Sequence, residues 1–67
     1  MKLYYITEEK RELLLESDDE RILRKEMYRY IHEVLKFDSH YQREWTVPPN
    51  ETYIDYGSHE NFFVISK

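Results

Sequence analysis

Sixty-seven residues with a formal net charge of −4 allow one small domain with a modest core, and they disfavour a protein held to nucleic acid by phosphate contacts. The absence of cysteine excludes a disulfide framework and a thiolate metal site. No run of about 18 apolar residues is available to span a membrane, and the opening Met1-Lys2-Leu3-Tyr4-Tyr5-Ile6-Thr7-Glu8 turns acidic too soon for a signal peptide. The expectation is therefore a soluble, cytoplasmic protein.

Residues 1–36 carry 8 basic and 9 acidic groups and residues 37–67 carry 2 and 5, so the excess acid sits in the second half. The composition is skewed, with no alanine, one glycine, seven tyrosines and five isoleucines. Such a bias matches AT-rich codons and leads to the expectation of a bacterial or phage gene.

Lys2 to Thr7 is short, aromatic and β-branched, as a strand requires. A turn at Glu8 to Arg11 and a second strand from Glu12 to Glu16 would pair Ile6 with Leu13 and Tyr4 with Leu15. One face then holds Tyr4, Ile6, Leu13 and Leu15, and the other holds Leu3, Tyr5, Thr7, Glu12, Leu14 and Glu16. The competing reading starts a helix at Thr7, but it sets Glu16 and Glu20 on the same face as Leu23, Met27 and Val34.

Ser17-Asp18-Asp19-Glu20 matches a capping box, with Ser17 as the cap and Glu20 reaching back. From there Leu23, Met27, Tyr30, Ile31 and Val34 recur at three- and four-residue steps, with Leu35 at the edge. That spacing predicts one long amphipathic helix over 17–37. Asp38 to Asn50 has no clear period and reads as a connection, with Trp45-Thr46-Val47 as a brief extended segment and Pro48-Pro49 barring a central strand. Thr52 to Tyr56 and Asn61 to Ser66 form a hairpin around Gly57, with Ile54 facing Phe63, Thr52 facing Ile65, Tyr53 facing Val64 and Asp55 facing Phe62.

The expected fold is α+β: ββαββ over 1–67, a four-stranded antiparallel sheet with one long helix on one face. The alternative is βαββ with a helix over 8–35. In the first arrangement Tyr4, Ile6, Leu13, Leu15, Ile54, Phe63 and Ile65 meet Leu23, Met27, Ile31 and Val34. One helix covers one face only, so Tyr5, Leu14, Tyr53, Phe62 and Val64 would be left on the other, with Leu3 beside them. Those residues, with Trp45, are the candidate partner or homodimer interface, because aromatic anchors with little central charge are common interface chemistry.

The remaining patterns weigh against chemistry at this chain. His40 lies near Asp38 and Glu44, and His59 near Asp55 and Glu60, but no spacing matches a metal, phosphate-loop or nucleophile motif. No cofactor or metal is expected. Arg21, Lys25, Arg29 and Lys36 line the outer side of the helix, where Glu26 and Glu33 flank the stripe and Arg29–Glu33 and Glu20–Arg24 read as ordinary ion pairs. The carboxylates are too dispersed to imitate a row of phosphates. The functional expectation is a non-enzymatic protein-interaction module, a small phage- or prophage-type regulator or inhibitor of a host protein acting as a homodimer. The alternative is a nucleic-acid binder using the basic helix stripe.

Overall fold

The computed structural model describes residues 1–38 and 42–67. Five strands, β1 (Lys2–Ile6), β2 (Arg11–Glu16), β3 (Arg43–Val47), β4 (Glu51–Asp55) and β5 (Phe62–Ser66), form one antiparallel sheet in the order β2-β1-β5-β4-β3. The helix α1 (Glu20–Arg29) stands between β2 and β3 in the chain. The class is α+β, but the expected four-stranded ββαββ sheet is corrected to five strands. The extra strand is β3, from the stretch expected to be a connection. Trp45 and Val47 point to one side of it and Glu44 and Thr46 to the other, and Trp45 stands opposite Tyr53 of β4. An edge position lets β3 stop at Pro48-Pro49, whose cis peptide lies in the turn to β4.

The first hairpin exists, which excludes a helix over 8–35, but its register differs from expectation. Residues Thr7 to Lys10 form the turn, closed by Thr7 N–H donating to the Lys10 carbonyl at 2.9 Å, with Thr7 Oγ1 accepting from the amides of Glu9 and Lys10. The tighter turn sets Ile6 opposite Arg11, not Leu13, and Tyr4 opposite Leu13, not Leu15. A bulge then inserts Leu14, so that Leu15 falls opposite Leu3. In the second hairpin the register Ile54–Phe63, Tyr53–Val64 and Thr52–Ile65 is as the alternation requires.

The helix is shorter than expected at its start. Ser17 N–H donates to the Met1 carbonyl at 3.0 Å and so extends the β1–β2 ladder. Its hydroxyl accepts from the Asp19 amide, and Asp19 becomes the cap, accepting from the Arg21 amide at 2.9 Å. Removing such a cap costs about 1 kcal/mol.

The helix end is also altered. Tyr30–Val34 continues α1 as a π-helical turn, with Leu35 N–H donating to the Tyr30 carbonyl. One extra residue in that turn shifts the apolar phase by one position. Val34, expected in the core, is therefore 51% exposed, and Leu35 packs against the core instead. Lys36 at φ 51° and the bond from Phe37 N–H to the Ile31 carbonyl close the end as a Schellman-type stop.

The core lies between α1 and one sheet face. Leu3, Tyr5, Ile54, Phe63 and Ile65 meet Leu23, Met27 and Ile31, with Tyr56 at one end. The assignment of faces in the first hairpin is thus reversed: Tyr5 and Leu3 turn towards the helix, and Tyr4, Ile6 and Leu13 turn away. The cause is the β1–β5 ladder, which sets Tyr5 opposite Phe63 and Leu3 opposite Ile65. A slip of one residue would have given the expected arrangement.

Candidate functional site

Two regions of the surface carry the candidate residues: the sheet face away from α1 and the free edge of β2. On the outer face, cross-strand register aligns Leu13, Tyr4, Val64, Tyr53 and Trp45. Trp45 stacks on Tyr53 with ring centroids 5.7 Å apart and meets Phe62 edge-on at 5.6 Å. Arg43 lies over the Trp45 ring, and Arg11 lies 4.2 Å over the Tyr4 ring. Arg11 also pairs with Glu51, crossing β1 and β5, and this carboxylate holds the guanidinium pKa above its ordinary value. Val64 lies in register between Tyr4 and Tyr53 on the face away from α1 and is 0% exposed.

The expected interface is therefore divided. Tyr53, Phe62 and Trp45 share the outer face, half-buried against one another. Val64 is on that face but sealed. Tyr5 is in the helix-side core, where its hydroxyl shares a 2.8 Å hydrogen bond with that of Tyr56. Burial, then that bond, pushes the Tyr5 phenol well above its ordinary pKa. Leu14, extruded by the bulge, is half-buried against the core.

The edge of β2 was not singled out from sequence. β2 pairs with β1 alone, and among the described residues its other edge has no neighbour. Leu13, 50% exposed, stands on the outer face of that edge, and Ile22 of α1, 49% exposed, stands on the helix side. α1 leans on β1 and β2, and a shallow groove of about 240 Å³ between helix and strand is lined by Leu15, Ile22, Lys25, Glu26 and Arg29. The signal available in the sequence was Ile22, which falls off the stripe of Leu23 and Met27 on the same helix.

The basic stripe is largely neutralised. Arg21 pairs with Asp19, and Arg29 with Glu26 and Glu33. Lys25 and Lys36 are exposed. Arg24 bonds Glu20 and forks onto Glu44 of β3 at 2.7 and 2.9 Å, which ties the helix to the far strand. The Arg24 bond holds the Glu44 carboxyl below its ordinary pKa, and Arg29 and Arg21 do the same for Glu26 and Asp19. Those contributions are present above the usual carboxylate range and are lost as pH falls through the lowered values.

His40 lies outside the described residues. His59 Nδ1 is 3.1 Å from Asp55 Oδ2, while Asp55 Oδ1 accepts from the Gly57 and His59 amides. This constellation shapes the β4–β5 turn. A polar hollow of about 280 Å³ beside it is lined by Thr7, Glu8, Glu9, Glu60 and Asn61. Among the described residues no group of three histidine or carboxylate side chains is set to hold a metal ion, and no helix is long and apolar enough to cross a membrane. No protein-family model, no curated protein and no solved structure matches the chain.

Proposed function

We propose that the chain is a non-enzymatic protein-interaction module whose contact surface is the free edge of β2. The observation that carries this reading is the exposure of Leu13 and Ile22 on either side of a strand edge that has no neighbour among the described residues. Soluble sheets ordinarily cover, charge or shorten such an edge. Both edges carry charge, Arg43 and Glu44 on β3 and Arg11, Glu12 and Glu16 on β2, but two prolines end β3, whereas on β2 the half-exposed Leu13 stands in mid-strand.

The reading is tested by placing a photoreactive side chain at position 13, 22, 36 or 45 in cells that naturally express the chain. Protein adducts from positions 13 and 22, with none from 36, are expected. Adducts from 45 alone would move the contact surface to the outer aromatic face. No adduct at any position would overturn the reading.

A further inference from the structure

We propose that the β2 edge docks antiparallel against a second copy of this chain, with Arg11 of each copy facing Glu16 of the other. The proposal rests on the reading of that edge as the contact surface and names its occupant.

The argument is one of charge and parity. Lys2, Tyr4 and Ile6 share the outer face of β1, because side chains alternate along a strand. Arg11 stands opposite Ile6, and Glu16 opposite Lys2. Arg11 and Glu16 therefore share the outer face although they are five positions apart, a spacing that puts residues of an unbroken strand on opposite faces. The bulge at Leu14 supplies the extra residue that brings them together.

A strand of this form is complementary to itself when reversed. A two-fold axis between Leu13 and Leu14 sets Arg11 against Glu16 on the outer face and Glu12 against Leu15 on the helix face. Exposed Lys10 then approaches the end of the partner strand that carries exposed Asp18. On the outer face leucines occupy the middle and opposite charges the ends, an apolar centre with a polar rim, while on the helix face Glu12 keeps Lys10 of its own chain as its partner. The same axis keeps both helices on one side of the joined sheet and brings the two Leu15–Ile22 grooves together. Arg11, whose guanidinium lies over Tyr4 and pairs with Glu51 across β1 and β5, turns outward to meet Glu16 of the second copy and gives up that solvent-touched pair, an exchange of little cost. A parallel second copy would oppose like ends and has no such match.

Sedimentation of the full chain over a wide concentration range is the test. The wild-type chain is expected to move from monomer to dimer, and Leu13→Glu to weaken association by about tenfold or more with the helical circular dichroism unchanged. Arg11→Glu creates an acidic edge and Glu16→Arg a basic one. Each variant alone is expected to stay monomeric, and an equimolar mixture to give a one-to-one heterodimer. A monomeric wild type overturns the proposal, and so does a dimer indifferent to all three substitutions. If the chain stays monomeric while position 13 still yields adducts with another protein, the second copy is overturned and the interaction module stands. Loss of both removes the two readings together.

Discussion

The two faces of the sheet are both dry at their centres, but they are made dry by different means. On one face Phe63, Ile65, Leu3 and Ile54 are covered by a helix, whose Leu23 and Met27 are fully buried. On the other, Val64 reaches the same exposure in register between Tyr4 and Tyr53, on the face where Arg11 pairs with Glu51 across two strands. Long amphipathic side chains can shelter apolar surface while keeping their charged ends wet. That face is not the large open surface that counting apolar residues implies.

Substitutions on each face measure the difference. Phe63→Ala, in the helix-side core, should cost about 3–5 kcal/mol in chemical denaturation. Val64→Ala should cost about 2 kcal/mol if the outer face is sealed; a change within about 0.5 kcal/mol, as at an ordinary surface position, would show that face to be open. Tyr5→Phe should cost about 1 kcal/mol at neutral pH through the lost bond to Tyr56.

It should also flatten the alkaline limb of the stability profile. The folded chain favours the neutral Tyr5 phenol. That contribution is whole below the ordinary phenol pKa of about 10 and is lost as pH rises towards the elevated folded value. Equal alkaline slopes for wild type and variant would contradict this. The smallest effect is expected at the outer pair: a double-mutant cycle on Arg11 and Glu51 should return less than about 1 kcal/mol, since both side chains touch solvent.

The same contrast explains what could be read in advance. Within the second hairpin, alternation and the single glycine made the register legible, because both strands are local and each has one plainly apolar face. The helix stripe was legible through Ile31, and failed at Val34 because a π turn leaves no mark in the spacing of side chains. The cap moved from Ser17 to Asp19 because the sheet claimed the Ser17 amide, a contact with Met1 that no local pattern reveals. β3 was hidden because its alternation is short and bordered by prolines.

The interface residues divided for a related reason. Each hairpin has two defensible faces, and only the ladder between Tyr5 and Phe63, far apart in the chain, decides which faces go together. The exposed edge at Leu13 follows from that decision and could not precede it.

The ladder between β1 and β5 has a kinetic consequence. It joins Leu3 to Ile65 in the middle of the sheet, so its formation closes a loop of nearly the whole chain. The entropy of closure rises only slowly with length, but contacts so distant delay folding more than local ones do. Each hairpin can form by itself in microseconds, whereas the centre of the sheet must wait for β5 to join β1 to β4. Until then the polypeptide holds separated half-sheets with raw inner borders.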